Sequence, residues 1–264
     1  MFANLKNLLK YKPLISSLVV RELKARYRGS VLGFFWSFIN PLLLLLIYSF
    51  VFSVVLPARV EGLDPYALFL FCGLLPWTWF SSSVLESSNV LISGGNLIKK
   101  VLFPAEILPI VSVLANMVHF FLGLPIVAIF LLYYRHVPTP LDLLWFPVVV
   151  VVQLFFTLGL ALIVSALTVH FRDIKDILSN LMTFWFFATP IIYSMDEATK
   201  RGGKIFLDLN PMTHIMVSYQ EILFYNGPFG HWKWLLALGL GSAVLFLIGY
   251  FMFDRLRDSF AEEV

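Results

Sequence analysis

Charge is scarce in this chain. Of 264 residues, 13% are Asp, Glu, Lys or Arg, against about 25% in an ordinary soluble domain. The net charge of +3 gives no basic surface, and no nucleic-acid partner is expected. Cysteine is nearly missing too: Cys72 stands alone, which excludes a disulfide framework or a multi-cysteine metal site within one chain. The five histidines, His119, His136, His170, His214 and His231, include no pair at the i, i+4 spacing of a helical zinc site. No G-x-S-x-G elbow occurs. A phosphate-cradling loop is missing as well, because Gly202-Gly203-Lys204 is followed by Ile205 and preceded by Ala198 where the first glycine should stand. These gaps exclude the common hydrolase, zinc-enzyme and nucleotidase patterns.

What is present is apolar. Residues of the hydrophobic set make up 59% of the chain and the mean hydropathy is +0.86, too much for one aqueous core of this size. Lipid offers the backbone no hydrogen-bond partners, so crossing about 30 Å of hydrocarbon takes about 20 mostly apolar helical residues. Six such runs are predicted: 34–56, 66–92, 105–134, 143–169, 177–195 and 232–253, with Pro41, Pro125 and Pro190 as sites of kinking. Thirteen of the nineteen Lys and Arg residues fall in 1–33, 93–104, 170–176 and 254–264, which places these segments and both termini in the cytoplasm. Residues 1–33 lack the apolar centre of a signal peptide, so no cleavage is expected and the first span directs insertion. The longest segments outside the runs, 1–33 and 196–231, are too short to bury the core of a nucleotide-binding domain.

Three of these segments carry a pattern. Residues 13–28 suit a helix with Ser17, Arg21, Lys24 and Arg28 on one face and Leu14, Leu18, Val19, Leu23 and Ala25 on the broad opposite arc. That is the layout of a helix lying in the cytoplasmic membrane surface, with Gly29 as its stop, although a charge cluster that only sets topology has the same composition. Between Ser93 and Pro109, Gly94-Gly95 and Pro104 bracket a short helix-capable stretch with Lys99 and Lys100. Pro104 followed by Glu106 also reads as a helix start, with Glu106 complementing the helix dipole. In 196–231 a polar loop precedes Asn210-Pro211, an N-cap with Pro at the first helical position, leading into about 14 residues that suit an outer re-entrant or interfacial helix.

Acids inside the runs are few. Glu86 and Glu106 lie near the surface that carries Lys99, Lys100 and Arg26, so a structural ion pair is expected in preference to catalysis. His214 and Glu221, two helical turns apart, are expected to face water. Aromatics make up 17% of the chain. Trp36, Trp145, Trp232 and Trp234 fit an interfacial belt. A stripe of Phe34, Phe38, Pro41, Leu45, Tyr48 and Phe52 along the first run, and Asn180, Phe184 and Phe187 on the fifth, suit either a wall for sugar rings or packing between helices.

Five stretches converge on a known family. RELKARYRGSVLGFFWSFINPLLLLLIYSFVFSVV (Arg21 to Val55), LIKKVLFPAEILP (Leu97 to Pro109), HFRDIKDIL (His170 to Leu178), TPIIYSM (Thr189 to Met195) and LNPMTHI (Leu209 to Ile215) together resemble the membrane subunits of type 2 ABC exporters of bacterial cell-surface polysaccharide: O-antigen, teichoic acid or capsule. The resemblance implies an all-α polytopic membrane protein forming one permease domain over 1–264. It would have a cytoplasmic interface-helix region (1–33), six spans (34–253), a short coupling helix, outer gate helices before the last span and a cytoplasmic tail (254–264).

It further implies a homodimer in the inner membrane joined to two copies of an ATP-binding subunit. That subunit would hold ATP and Mg, with no cofactor in this chain, and a lipid-linked glycan would be moved. On this resemblance the substrate channel takes Phe34, Phe38, Tyr48, Phe52, Asn180, Phe184 and Phe187. Coupling to the ATPase takes Arg21, Lys24, Arg28, Asn96, Leu97, Lys99, Lys100, Phe103, Arg172 and Asp173. The outer gate takes Pro190, Tyr193, Asn210, Pro211 and Tyr219. Two other readings stand beside it: a permease of the same type for another lipid or small molecule, and an integral membrane transferase.

Overall fold

The computed structural model of the chain describes residues 10–51, 63–95, 103–136, 138–200, 202–225 and 228–263, and among them there are helices and turns but no strand. Asn96, Leu97, Lys99, Lys100 and Phe52 lie outside the described residues, as does the side chain of Phe34. The amphipathic segment forms α1 (Lys12–Arg26), with Pro13 in its first turn. Arg21 and Lys24 are exposed along it and Arg28 just beyond it, while Leu18 is buried. The chain then turns through Tyr27 and Gly29, whose φ of +80° is the left-handed value that a glycine stop accommodates. A single 3-10 turn, Gly33–Phe35, leads into α2 (Trp36–Phe50).

After α3 (Tyr66–Ser93) come α4 (Ile107–Tyr133), the single turn α5 (Pro140–Leu143), α6 (Phe146–His170) and α7 (Ile174–Ala188). Two short helices, α8 (Met195–Lys200) and α9 (Lys204–Leu209), precede α10 (Pro211–Leu223) and the long α11 (Trp232–Glu263). Four stretches are long and apolar enough to cross a membrane: Tyr66–Ser93, Ile107–Tyr133, Pro140–His170 and Trp232–Arg257. They match the second, third, fourth and sixth predicted runs.

The other two runs come out shorter. α2 has 15 residues and reaches the edge of the described segment. α7 also has 15 residues, starting ahead of the predicted 177 and stopping at Ala188 instead of 195. Its stop is local: a proline disfavours helical geometry in the residue before it, and Thr189, preceding Pro190, is extended at φ −108° and ψ 139°. At about 1.5 Å per residue, α7 covers about 22 Å, less than the hydrocarbon thickness. α11 instead overruns its predicted end at 253. Its last turns are held by Phe260, fully buried edge-on to Phe253 at 5.1 Å between ring centroids, and by Ser259, whose hydroxyl lies 3.1 Å from His170 Nε2.

α3 is the centre of the bundle. Leu68, Phe69, Leu70, Phe71, Trp79 and Phe80 are all buried, packed by α4 on one side and α6 on another. The most extensive contact joins α6 to α11, and two glycines permit it. A Cβ on Gly249 would stand 2.5 Å from the backbone oxygen of Gly159, and one on Gly159 would meet the α11 backbone at 2.9 Å. Between membrane helices, small residues of this kind let the backbones approach, since lipid supplies no hydrophobic drive for association. The outer face of α11, with Leu236, Leu240, Val244 and Ile248 exposed, is the apolar surface expected towards lipid.

Candidate functional site

At the root of α1 the chain has built a charged joint. Arg26 is the last helical residue and its side chain enters the bundle instead of joining Arg21 and Lys24 in solvent. Its Nη2 donates to Glu86 Oε2 of α3 at 2.5 Å and its Nη1 to Asn116 Oδ1 of α4 at 2.9 Å. Asn116 Nδ2 donates in turn to Glu86 Oε2 at 2.7 Å, and Glu22, one turn back on α1, lies 3.7 Å from Arg26 Nε. The ion pair expected of Glu86 is therefore present, with Arg26 as the partner. Apolar packing runs alongside: Leu18 of α1 is buried on Ile107 and Val111 of α4, with Leu14, Val19 and Phe103 around them. α1 is thus fastened to two long helices by charge, hydrogen bonds and packing together.

Next to the joint, His119 fixes a second chain of polar contacts. Its Nδ1 lies 3.0 Å from the Ala115 carbonyl, which can only accept, so Nδ1 carries the proton. Nε2 is then the acceptor for the Tyr27 hydroxyl at 2.5 Å, and the Ser37 hydroxyl of α2, at 2.5 Å, donates to Tyr27. A cavity of about 350 Å³ opens over these groups, with Arg26, Ser37, Asn40, Asn116 and His119 on its polar side and Trp36, Leu44 and Phe71 on its apolar side. Asn116 and His119 were signalled in the sequence only as polar residues within an apolar run. Their partners are not adjacent in the chain.

A second assembly centres on Asn210. Its side-chain oxygen accepts from Met212 N at 3.0 Å, which is the expected N-cap of α10, and also from Trp185 Nε1 at 2.8 Å. Its Nδ2 donates to the Ala188 carbonyl at 3.1 Å and lies 3.0 Å from Thr189 Oγ1. One side chain therefore caps α10 and closes the C-terminal end of α7. Pro190 is buried and its carbonyl accepts from Gln220 Nε2 at 2.8 Å. Tyr193 donates to the Phe187 carbonyl at 3.1 Å. Pro211 occupies the first turn of α10, and Tyr219 is fully buried in the core, edge-on to Phe120 and Phe146.

The expectation that His214 and Glu221 face water is overturned. His214 is 4% exposed and stacked on Trp234 at 4.5 Å between ring centroids. Its Nε2 donates to the Asp208 carbonyl at 2.9 Å, which leaves Nδ1 to accept from His231 Nε2 at 2.9 Å. His231 then turns an unprotonated Nδ1 towards Glu221 Oε1, 3.7 Å away. Burial pushes the Glu221 carboxyl upward, and burial together with His214 pushes His231 down to about 4, so both groups favour their neutral forms. Glu221 also holds the chain ahead of α11: its Oε2 accepts from Gly230 N and His231 N, each at 3.0 Å, while Asp142 of α5 accepts from Phe229 N at 3.1 Å. The reason the expectation failed is that α10 is buried along nearly its whole length among α3, α6 and α11.

The remaining sequence candidates are dispersed. On α7, Asn180, Phe184 and Phe187 are exposed along one face with Ile177 and Leu181, and Phe184 is 71% exposed. Phe38 and Tyr48 are half-buried on α2, Tyr48 against the main core. Arg172 and Asp173 are exposed in the turn between α6 and α7, and Phe103 is half-buried between α1 and the lower core. No cluster of three His, Cys, Asp or Glu side chains suited to a metal occurs among the described residues.

Comparison with known proteins gives one family. Residues 13–224 match the model of the family described as ABC-2 type transporter. The O-antigen export system permease protein RfbA of Myxococcus xanthus is 42% identical over 260 residues, covering 98% of each chain. A protein of the same name from Klebsiella pneumoniae is 35% identical over 243 residues, covering 92% of this chain and 91% of that one. The capsule polysaccharide export inner-membrane protein CtrC of Neisseria meningitidis is 23% identical over 181 residues, 67% of this chain and 66% of its own.

Proposed function

The chain belongs to the ABC-2 type transporter family, and on that premise we propose that it is the permease subunit moving lipid-linked O-antigen across the inner membrane. What carries the reading is the 42% identity to an O-antigen permease along 98% of both chains, too complete for a shared module alone. The chain is a multi-pass membrane protein and the fuel is burned elsewhere: ATP and Mg act in a separate ATP-binding subunit. Two copies of this chain, each with six spans counting α2 and α7 and both termini cytoplasmic, pair with two copies of that subunit. Capsule polysaccharide is the second cargo to test, favoured by the likeness to the Neisseria protein.

In this reading, closure of the ATP-bound partner pushes on segment 96–103, the Arg172–Asp173 turn and the exposed Arg21, Lys24 and Arg28 of α1. Binding can shift a conformational equilibrium only through contacts that differ between the two states, so the cytoplasmic surface must be tied firmly to the spans. The Arg26–Glu86–Asn116 joint supports that requirement, because a displacement of α1 is passed to α3 and α4 by charge-assisted bonds. Separation of the two copies then opens a path walled by α2 and α7, where Phe34, Phe38, Tyr48, Phe52, Asn180, Phe184 and Phe187 meet the glycan. The outer end, with Pro190, Tyr193, Asn210, Pro211 and Tyr219, opens last. Exchanging Lys99 and Lys100 for Glu is expected to abolish surface O-antigen while the partner still hydrolyses ATP and the protein still inserts. Surface glycan at the wild-type level in that variant would overturn the coupling assignment.

A further inference from the structure

Beside the His231–Glu221 pair lies a cavity of about 300 Å³, closed by the start of α8, the second half of α10 and residues 228–231. Its lining is polar and of one sign. Asp196 and Glu221 contribute carboxylates, Tyr225 a phenol and a ring, Gln220 an amide, and no Lys or Arg takes part. Gln220 is the telling member. It is 1% exposed, its Nε2 is committed to the Pro190 carbonyl, and its Oε1 has no hydrogen-bond partner among the described residues. A buried amide oxygen left unbonded costs about 1–3 kcal/mol, so a group that donates to it is favoured here. Glu221 has likewise spent Oε2 on two backbone N–H groups and keeps Oε1 free of any backbone bond. Tyr225, pushed up to about 12 by burial and the nearby Asp196 and Glu221, keeps its proton and serves as a donor.

The chemistry defines the occupant. The volume is at the low end of about 300–1,000 Å³ for small-molecule sites, room for about one pyranose ring. Several acceptors with one donor and an aromatic face match a ring of hydroxyls, whereas two carboxylates without a cation repel a phosphate or a uronate. We infer that this cavity is a subsite for a single uncharged or amino-bearing sugar residue of the outgoing glycan, bound through Gln220, Glu221, Asp196 and Tyr225. The inference rests on the export reading and extends it to a defined place at the outer end. It also assigns the diphosphate end of the lipid carrier elsewhere.

The test is saturation-transfer NMR on the purified full-length chain in lipid nanodiscs, with methyl mannoside, glucosamine and glucose 6-phosphate as probes. The two uncharged or amino sugars are expected to take up saturation, and glucose 6-phosphate about tenfold less. Val217→Phe, which fills the cavity with an apolar ring, should remove the signal. Asp196→Asn, on an exposed side chain, should keep the mannoside signal and raise that of glucose 6-phosphate. Absence of sugar saturation, equal saturation by glucose 6-phosphate, or a signal indifferent to Val217→Phe would each overturn the subsite. Deleting the chain in cells and staining surface glycan tests the export reading separately: glycan lost on deletion but no saturation in vitro sinks the subsite alone, while glycan retained on deletion sinks the export reading.

Discussion

Removing both partners of the Arg26–Glu86 pair should harm the protein less than removing them one at a time predicts. Arg26 Nη2 and Glu86 Oε2 stand 2.5 Å apart, and Asn116 bonds to both side chains, at 2.9 and 2.7 Å. Breaking a fully buried ion pair by deleting one member costs about 3–5 kcal/mol, mostly from the charge left behind. Here the two side chains keep 23% and 39% of their accessibility, so water screens the survivor and about 1–2 kcal/mol is the better figure. Arg26→Met keeps the aliphatic stem, and Glu86→Leu fills the same space without charge. Arg26→Met should be the worse single change, because it strands Glu22 and Glu86 together. The double variant should be no less stable than Arg26→Met, giving a coupling energy of about 1–2 kcal/mol. Unfolding followed by tryptophan fluorescence in detergent measures the four stabilities, and surface O-antigen measures export in parallel. Additivity within about 0.5 kcal/mol would refute the joint as described.

Three further outcomes follow from the same geometry. Gly249→Ala places a methyl group 2.5 Å from the backbone oxygen of Gly159, a clash no rotamer relieves, and should destabilise by about 1–3 kcal/mol, whereas Gly241→Ala, which meets open space, should change the melting temperature little. Asn210→Ala removes the α10 cap and leaves Trp185 Nε1 and the Ala188 carbonyl without their partner, so a loss of about 2 kcal/mol or more is expected; Asn210→Asp, which keeps the acceptor but not the donor, should fall between it and the native protein in the same melts. His231, held down to about 4 in the fold, stabilises the folded protein above its ordinary value near 6.5 and loses that contribution as the pH falls from about 6.5 to 4, at most about 3 kcal/mol and partly offset by Glu221, whose raised carboxyl gains on acidification; His231→Gln should flatten this acid limb of a melting-temperature profile between pH 7 and 4, and an unchanged limb would assign it to other groups.

The long helices were legible because hydropathy is a local quantity. Runs predicted at 66–92, 105–134 and 143–169 agree with α3, α4 and α6 within about three residues, and the Asn210-Pro211 cap is where the residue types put it. What composition hides is distance in sequence. Arg26 finds Glu86 60 positions away and Asn116 90 positions away, and helical spacing on α1 carries no trace of either. Arg26 even lies outside the polar stripe of Ser17, Arg21, Lys24 and Arg28, and that displacement was the one local clue that its charge had a different destination. α10 misled for the opposite reason: its His, Gln and Glu look solvated in a linear reading, yet each polar group is answered within the fold by Asp208, Pro190 or the backbone of 230–231. The overrun of α11 depends on Phe260 reaching Phe253 across one helical face, a contact that no hydropathy window registers because charged residues surround it.

The two polar assemblies differ in kind, and that difference bears on how an exporter of this type would move. The joint at Arg26 is ionic, half open to solvent and bordered by a cavity of about 350 Å³, so its bonds can lengthen and be replaced by water at modest cost. The assembly at Asn210 is neutral and closed: each of its four contacts goes to a defined donor or acceptor at 2.8 to 3.1 Å, and a satisfied buried network of this sort is rigid because any break leaves a polar group stranded. Asn210 binds the end of α7 to the start of α10, and Gln220 binds α10 to Pro190 of the following segment. On the export reading, motion therefore begins at the yielding cytoplasmic joint, while the end of α7 and the start of α10 turn as one piece. The exposed face of α7, with Asn180, Phe184 and Phe187, is carried by that piece. The wall the glycan meets would then shift by rotation of a stiff unit and not by melting of the outer helices.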